Sequence, residues 1–444
     1  MTYSAARTPV HQGPAAWADI LGNGAQYPTL ETEISADVVV IGAGFAGLSA
    51  ALRVQQLDPT AKVAVLEAGR VAQGAAGRNS GFMIDLPHDL ASDDYAGAGD
   101  DQLLTRLNRQ AIAFGAEAAE TFGIAPAYFD KSGKVNGAAS AAGDAHNRSY
   151  ESHLRTLGET SAWLDAQSMH ELTGSRHYVS GLFTPGTVML QPAGYIRGLA
   201  TGVARHANLF ENSAVLSFAR AGQSWCVKTA KGQVTAAKVI LALNGHLESF
   251  GIAKGRLMQL FLFASMTSEL DSEMRARLGG ADRWGVTPSD PMGTTVRRID
   301  TGQGGHRIVT RTCAVMRPDM QASAGDVGRA AKVQRAKFAA RFPQLAGLKM
   351  QYEWAGHLCL SLNGVAVAGA IEDGVYSACV QNGLGTARGT LTGMAAAETA
   401  MGHPSEITQF FLAEAAPKRL PPQPFAKIGA NAYLRWKEWR AGAE

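Results

Sequence analysis

Hydrophobic runs and glycines alternate between Ala36 and Arg70 in an order typical of a strand, a helix and a second strand. A short apolar run, residues 38–41, precedes a Gly-x-Gly-x-x-Gly turn, and an Ala- and Leu-rich segment with helical spacing follows it. A second apolar run, residues 62–66, ends at Glu67, twenty residues beyond the last glycine of the turn. This order predicts a dinucleotide-binding βαβ unit.

The three glycines of the turn have different roles in such a unit. Gly42 permits the tight turn, Gly44 leaves room for a pyrophosphate to approach the backbone, and Gly47 lets the helix pack against the strand. Phe45 and Ala46 stand at the helix N-terminus, where unpaired N–H groups and the positive end of the helix dipole favour phosphate. Alone, the glycine spacing also fits a glycine-rich turn without a nucleotide.

The acid after the second strand strengthens the prediction. Glu67, which is followed by Ala68, can accept hydrogen bonds from a ribose, and its charge would repel a 2′-phosphate. The pattern does not by itself separate FAD from NAD.

A loop of small and polar residues at 74–82, the early loop, comes directly after this unit. Small residues let the chain run close to a flat ligand, and the side chains of Asn79 and Ser80 supply hydrogen-bond partners. The alternative is a glycine-rich surface loop. The candidate cofactor contacts in the loop are Gly74, Ala75, Arg78, Asn79, Ser80, Gly81 and Phe82.

Further along the chain, helical spacing predicts helices at 100–125, 145–172 and 326–342. Alternating residues at 214–237 predict a β-meander that returns to a buried strand ending near Asn244. Residues 375–401 are predicted to form a strand, a glycine-rich loop and a helix. No acid follows this late unit, so we predict a single dinucleotide fingerprint.

The composition is that of an ordinary globular protein, with 46% hydrophobic and 18% charged residues. The net charge of +3 is too small to indicate nucleic acid or an anionic membrane as a partner. No apolar run approaches the roughly 18 residues of a membrane span, and no signal pattern begins the chain. The four cysteines, none in a Cys-x-x-Cys pair, predict neither disulfides nor a metal site, and we expect a cytoplasmic protein.

Six motifs occur in a familiar order: IGAGFAGLSAAL, VLEAGR, GAAGRNSGF, VILALNG, YEWAGHLCLSLNGVAVAG and VYSACVQNGLGTARGTLTG. On these motifs the chain resembles the FAD-dependent D-amino-acid oxidase family, most closely its γ-glutamylputrescine oxidase and glycine–sarcosine oxidase branch. The resemblance covers about residues 30–405. The sequence departs from the branch at Ser80, where a glycine is usual, and at residues 362–364, where many members have a Pro- or Asp-containing turn.

The resemblance implies FAD, bound non-covalently, and assigns its contacts. The turn glycines would hold the pyrophosphate, Glu67 the adenosine ribose, and the loop at 75–82 the phosphates and flavin. The resemblance also assigns contacts to adenine, to the flank of the cofactor and to the pyrimidine edge of the flavin. These further residues are Val215, Ala242, Asn244, Gly245, Gly383, Leu384, Gly385 and Thr386.

We therefore predict an α/β fold in which a Rossmann-like FAD-binding domain, a parallel sheet plus a β-meander, is interleaved with a second α+β substrate domain built on an antiparallel sheet. The predicted divisions are an N-terminal arm at 1–33, the FAD-binding domain at 34–95, 190–255 and 350–410, the substrate domain at 96–189 and 256–349, and a C-terminal tail at 411–444. The aromatic and basic tail is expected to pack on its own protein rather than on a membrane or a partner subunit.

The activity that the resemblance implies is oxidation of a C–N bond in a primary or secondary amine or an amino acid. A hydride passes to flavin N5, the imine hydrolyses, and O₂ takes the electrons to give H₂O₂. Two alternatives stay open. One is an FAD-linked dehydrogenase of an amine or 2-hydroxy acid that passes electrons to a quinone or carrier, and the other is a non-catalytic flavin-binding protein. The pattern specifies no oligomeric state.

Three residues are candidates for contact with the substrate. His357 precedes the glycine-rich loop at 383–386, the late loop, although a structural, hydrogen-bonded histidine is an equal alternative. Arg298, on a predicted hairpin strand, could pair with a substrate carboxylate, although a solvated strand face is the commoner arrangement. His88, just beyond the early loop, is the third candidate, with similar alternatives.

Overall fold

A computed structural model describes residues 2–87 and 99–444. The strands of the described residues are β1 Thr2–Ser4, β2 Glu33–Ile41, β3 Val63–Leu66, β4 Phe82–Met83, β5 Phe129–Asp130, β6 Lys134–Ala138, β7 Ala162–Asp165, β8 Ser180–Thr184, β9 Val188–Leu190, β10 Ala207–Phe210, β11 Ser217–Ala221, β12 Ser224–Lys228, β13 Gln233–Leu241, β14 Leu257–Thr267, β15 Trp284–Pro288, β16 Thr295–Ile299, β17 Arg307–Met316, β18 Met350–Ser361, β19 Val367–Glu372 and β20 Val375–Cys379. The α-helices are α1 Ala16–Asp19, α2 Phe45–Leu57, α3 Asp101–Phe122, α4 Ala141–Thr156, α5 Ala166–Thr173, α6 Pro192–Val203, α7 Ser272–Leu278, α8 Ala324–Arg341, α9 Ala387–Met401, α10 Glu406–Ala413 and α11 Phe425–Arg440.

The first sheet combines parallel strands with a meander. Its parallel part has the order β10-β3-β2-β13-β20, and its core strands are continuous apolar runs because both faces are covered. An antiparallel meander, β11-β12-β13, extends the sheet from β13, and β19 pairs with β20. Helix α2 packs against this sheet and against α9, and Leu48, Ala51 and Leu52 are among its buried residues.

The second sheet has the order β18-β14-β17-β16-β15-β6-β8-β7 and is antiparallel except between β15 and β6. A small third sheet joins β4, β9 and β5. The predicted fold class is confirmed: a Rossmann-like parallel sheet with a β-meander is combined with a second, mainly antiparallel sheet.

Two predicted helices match the structure closely. Helix α3 ends where Gly123 takes a φ of +66°, a left-handed conformation that glycine adopts without strain. Helix α8 begins with a capping box, in which Ser323 and Asp326 bond each other's backbone N–H groups. The single helix predicted at 145–172 is wrong: α4 stops at Thr156, strand β7 intervenes, and α5 follows. Gly158, with φ of +76°, makes the break.

Two elements cross the predicted divisions of the chain. Strand β18 lies in the segment predicted as FAD-binding, yet it pairs along its length with β14 of the second sheet. Strand β1, in the predicted arm, pairs with β11 at the edge of the first sheet. Helix α11 of the tail packs along β17, where Asn431 bonds the backbone of Met316.

Among the helices of the described residues, none combines the length and apolar character needed to cross a membrane. In the same part of the chain, no group of three or more His, Cys, Asp or Glu residues has a geometry that could hold a metal ion. All four cysteines are free thiols.

Candidate functional site

In the turn between β2 and α2, Gly42 and Gly47 lie against the backbone, and Gly44 has open space beside it. Gly42 has a φ of +106°, and a Cβ there would lie 2.5 Å from the carbonyl oxygen of Ala242. A Cβ on Gly47 would overlap the carbonyl oxygen of Gly42, so this glycine lets the helix lie against the turn. At Gly44 the nearest neighbour of a Cβ would be Ala76, at 3.6 Å, and the free space beside Gly44 belongs to a cavity.

That cavity, of about 290 Å³, lies beyond the carboxyl ends of β2, β3 and β13, where open α/β sheets bind their ligands. Most of the residues proposed from the sequence as cofactor contacts line it. They are Gly42, Gly44, Phe45, Ala46, Glu67, Ala68, Gly74, Ala75, Arg78, Asn79, Ser80, Phe82, Val215, Ala242, Asn244, Gly383, Gly385 and Thr386.

Four proposed contacts lie outside the lining. Gly47 packs on the turn, as described above, and a Cβ on Gly81 would overlap the guanidinium of Arg297. Gly245 faces His357, because a Cβ there would lie 2.8 Å from its Cε1 atom. Leu384 points instead into a second, apolar cavity of about 920 Å³ between the second sheet and helices α3, α9 and α11. The three glycines therefore lie against other parts of the chain, and Leu384 lines only the second cavity.

Glu67 is held by the backbone of the turn and of its own strand end. Its Oε2 accepts a hydrogen bond from the N–H of Ala43 at 2.9 Å, and its Oε1 accepts one from Gly69 at 3.0 Å. Burial raises the pKa of the Glu67 carboxyl, while the two backbone hydrogen bonds act in the opposite direction. Each carboxylate oxygen keeps a further lone pair, which a ribose hydroxyl can use.

The early loop is fixed by its own polar side chains. Asn79 Oδ1 accepts from the N–H of Gly81 at 2.7 Å, and Asn79 Nδ2 donates to the carbonyl of Ala76 at 2.6 Å. Thr386, in the late loop, donates to the carbonyl of Phe82 at 2.7 Å. The early and late loops therefore form one continuous wall of the cavity, although 304 residues separate Phe82 from Thr386.

The guanidinium of Arg78 is committed to backbone carbonyls. Its Nε donates to Gln73 at 2.6 Å, its Nη1 to Gln12 and Ala355 at 3.3 Å each, and its Nη2 to Gly13 at 3.0 Å. Burial lowers the pKa of Arg78 to about 10, so the group is still charged at neutral pH. The side chain joins the early loop to the N-terminal arm and to β18.

His357 lines the cavity as a neutral imidazole. Its ring stacks on Phe261, with centroids 5.0 Å apart, and its Nε2 lies 2.9 Å from Oε1 of Gln259. The Gln259 amide nitrogen donates to the Gly245 carbonyl at 3.1 Å and to Glu248 at 2.8 Å, so its oxygen accepts the proton of His357 Nε2. Burial, with His246 and His11 nearby, lowers the pKa of His357 to about 3.

Of the other two candidates for substrate contact, Arg298 does not line the cavity. Arg298 is 2% exposed, so the expected solvated strand face is wrong. Its guanidinium donates to the carbonyl of Gly279 at 2.5 Å and to Asp282 at 3.1 Å, away from the residues that line the cavity. His88 lies outside the described residues.

Sequence reasoning missed five basic residues that line the cavity: Arg7, His11, Arg70, His246 and Arg311. His246 directly follows the predicted Asn244-Gly245 strand end, so its position was a usable signal. Arg311 lies on β17, and its place on the inner face depends on how the two sheets pack. His11 belongs to the arm, where no periodicity indicates a buried side.

The cavity fits FAD on observations of the chain itself. The turn at Gly44 leaves open space at a helix N-terminus, as a diphosphate requires. Within the described residues, Asn244 Oδ1 and His246 Nδ1 are buried without a hydrogen-bond partner, and both residues line the cavity. Such polar atoms are costly to bury unpaired, which favours a polar ligand beside them.

Comparison with known proteins agrees with this assignment. The chain is 28% identical over 392 residues to the probable oxidoreductase OrdL of Haemophilus influenzae, covering 87% of each protein. It is 25% identical over 397 residues to the γ-glutamylputrescine oxidoreductase of Escherichia coli, covering 87% of this chain and 88% of that one.

Solved structures share the fold. Glycine oxidase from Geobacillus kaustophilus superposes with a TM-score of 0.69 at 18% identity, covering 86% of this chain and 100% of that one. L-Proline dehydrogenase from P. horikoshii superposes with a TM-score of 0.65 at 16% identity, covering 85% of this chain and 97% of that one. A sequence model of the DAO family, FAD-dependent oxidoreductases, matches residues 37–399. The resemblance noted in the sequence is therefore confirmed, and the chain belongs to the DAO family of FAD-dependent oxidoreductases.

Proposed function

We propose that this enzyme oxidises a C–N bond of a primary or secondary amine or an amino acid, with O₂ as the electron acceptor. The observation that carries the proposal is the composition of the cavity. The βαβ turn, the early loop and the late loop meet there around the expected cofactor, while His357 and Arg311 stand on strands of the second sheet at the same cavity. The names of its relatives, γ-glutamylputrescine oxidoreductase and glycine oxidase, support an amine or amino acid as substrate.

FAD, bound non-covalently in this cavity, would supply the redox chemistry by taking a hydride from the carbon next to the amine nitrogen. The chain's part is to hold and orient. Residues of the loops at 74–82 and 383–386 would hold the cofactor, and the neutral imidazole of His357 lines the same cavity without carrying a charge. The imine product then hydrolyses in water, and O₂ takes the two electrons and two protons to form H₂O₂.

Two side chains of the second sheet are proposed to meet the substrate. His357 offers its Nδ1 atom as an acceptor, because Gln259 takes the proton of Nε2. Arg311, rather than Arg298, is proposed to face a substrate carboxylate, since Arg311 lines the cavity and Arg298 does not. The apolar side chains of Leu262 and Phe263 line the cavity beside Arg311 and would exclude water from the reacting carbon.

A second candidate is a dehydrogenase that passes electrons to a quinone or a carrier. It is favoured by the structural likeness to L-proline dehydrogenase, which has the same fold and nearly the same coverage as glycine oxidase. The same cavity serves both candidates, which differ only in the acceptor that reoxidises the flavin.

The test begins with the purified protein and its visible flavin spectrum. Amines, amino acids and 2-hydroxy acids are then added without oxygen, and bleaching of the flavin band is followed. Bleaching by amines or amino acids, with peroxide formed in air, is the expected result. Bleaching without peroxide, restored by a quinone, would favour the dehydrogenase. Bleaching only by 2-hydroxy acids, or by no compound of the panel, would contradict the proposal.

A matched variant makes the panel specific. Arg311→Leu removes the charge but keeps most of the side-chain volume, and His403→Leu changes an exposed histidine outside the cavity lining. If an amino acid is the substrate, we expect Arg311→Leu to raise its KM at least tenfold, about 1.4 kcal/mol, and His403→Leu to leave it unchanged.

A further inference from the structure

The N-terminal arm is anchored at two places with the cavity between them. At the first anchor, strand β1 pairs with β11, and Ala6 donates to the carbonyl of Ser249 at 2.9 Å. The hydroxyl of Ser249 accepts from the N–H of Arg7 and donates to its carbonyl, both at 2.8 Å. Arg7 is therefore the last residue of the arm that is held at this first anchor.

The second anchor lies at Gln12 and Gly13. The carbonyl of Gln12 accepts from the N–H of Ala355 at 3.0 Å, and Arg78 donates to both arm carbonyls. Gly13 has a φ of +78°, and a Cβ there would overlap the carbonyl of Glu353, so the arm is pressed against β18. Beyond this anchor α1 is buried, and Trp17 donates to the carbonyl of Asn79 at 2.9 Å.

Between the anchors the arm forms part of the cavity wall. Arg7, Thr8, Pro9 and His11 all line the cavity that contains Gly42 and Glu67. His11 stands next to the early loop: a Cβ on Gly74 would lie 3.8 Å from its Nε2 atom. These arm residues are exposed in the chain by itself, so a ligand in the cavity would cover side chains that otherwise face water.

The arm also precedes the part of the chain that the family model matches, which begins at residue 37. The arm's charge suits the cofactor, since Arg7 joins Arg70, Arg78 and Arg311 at a cavity whose lining holds one carboxylate, Glu67, among the described residues. A diphosphate is a dianion, and cations near it favour binding.

We propose that residues 7–13 of the arm close the FAD site from the solvent side, that His11 contacts bound FAD, and that Arg78 is a positioning residue that fastens the arm there. The inference rests on FAD binding in this cavity and not on the identity of the amine. It assigns Arg78 a different role from the direct cofactor contact suggested by its place in the loop: Arg78 acts through the arm.

The first experiment measures FAD binding to the apoprotein by quenching of FAD fluorescence. We expect His11→Ala to raise the dissociation constant about tenfold, corresponding to the loss of one hydrogen bond to a charged group. Val10→Ala is the matched control, because Val10 is exposed on the same arm and does not line the cavity. It is expected to change the constant less than twofold. Equal constants for His11→Ala and the wild type would overturn the contact.

The second experiment tests the fastening. Arg78→Lys keeps the charge but loses the planar fork that reaches four carbonyls. We expect FAD to dissociate at least fivefold faster from this variant, and trypsin to cleave it after Arg7 faster than the wild type. Faster FAD loss without faster cleavage after Arg7 would contradict a role through the arm. Urea unfolding of both apoproteins shows whether the variant folds as the wild type does.

The rate of trypsin cleavage of the wild type gives a further test that needs neither a variant nor an activity measurement. If FAD lies under the arm, saturating FAD slows cleavage after Arg7 in the wild type at least fivefold. Equal rates with and without FAD, or no cleavage in either state, would count against the proposal. A wild-type protein that binds no FAD would instead contradict the proposed function, so the two failures are distinguishable.

Discussion

Arg297 and Arg298 are neighbours on β16, but their guanidinium groups form hydrogen bonds with different parts of the protein. Arg297 Nη1 donates to the carbonyls of Ser80 at 2.9 Å and Leu190 at 2.7 Å, behind the cofactor loop. Arg298 donates to Gly279 and Asp282 at the loop after α7. Because successive side chains of a strand point to opposite faces, only one of the two can support the site.

This arrangement predicts different effects for matched substitutions. Arg297→Lys keeps a cation but cannot reach both carbonyls and Gln303 with a planar group, so the loop at Ser80 loses support. We expect FAD affinity to fall about tenfold, and Arg298→Lys to change it less than twofold. FAD fluorescence titration checks both. Equal losses in the two variants would show that the strand as a whole, and not Arg297, supports the loop.

The same pair shows how far the sequence could lead. Alternation along the hairpin strand located β16, but the face that turns toward the cofactor depends on how the second sheet packs on the early loop. The strand–turn–helix at Gly42–Gly47 was predictable because its signals are local. The position of the arm against the cavity was not predictable, because Arg78 fastens the arm through the backbone carbonyls of Gln12 and Gly13, and no side-chain pattern marks these contacts.

Substitutions of Gly44 and Gly47 are expected to have different effects. A Cβ on Gly47 overlaps the carbonyl of Gly42, so Gly47→Ala must displace the helix, and we expect the free energy of unfolding of the apoprotein to fall by roughly 2 kcal/mol. Gly44→Ala meets its nearest neighbour at 3.6 Å, an ordinary contact. It should leave the apoprotein's stability within about 0.5 kcal/mol of the wild type and weaken FAD binding.

Urea unfolding of apoprotein and FAD titration of the same samples separate these outcomes. Gly429→Ala, at a helical glycine with open space for a Cβ, controls for the substitution itself. Normal FAD binding by Gly44→Ala would mean that no ligand atom approaches this glycine closely, which would contradict its assignment to the diphosphate.

Gln259 is expected to position His357. It is 1% exposed, and Gln259→Leu would leave the Nε2 proton of His357 and the carbonyl of Gly245 without their partner. We expect the free energy of unfolding to fall by about 1–3 kcal/mol and the KM for the amine to rise, because the ring loses its fixed orientation. Met258→Leu is the control, since Met258 is the neighbouring residue on β14 and lines the second cavity.

Urea unfolding and steady-state kinetics measure the two effects of Gln259→Leu. A variant that is destabilised but has an unchanged KM would limit Gln259 to a structural role. A variant as stable as the wild type would contradict the hydrogen bonds assigned to its amide.

The last prediction concerns pH. Burial lowers the pKa of His246 to about 4, and burial with His246 and His11 nearby lowers that of His357 to about 3, from an ordinary value of 6.5. Below pH 6.5 both imidazoles bind protons in the unfolded chain and stay neutral in the folded one. The unfolded state then holds more protons, so the free energy of unfolding is highest above pH 6.5 and falls as the pH is lowered from 6.5 toward 4.

Each such proton adds about 1.4 kcal/mol per pH unit to the slope of the free energy of unfolding against pH, in the range where the group is protonated in the unfolded state and neutral in the folded state. Urea unfolding of the FAD-free protein at several pH values between 7 and 5 measures the slope. We expect His246→Asn and His357→Asn each to flatten it, because a side chain that does not titrate takes up no proton on unfolding. His403→Asn, at an exposed site, should leave the slope unchanged. If His246→Asn and His357→Asn both retain the wild-type slope, groups other than these two histidines cause the loss of stability in acid.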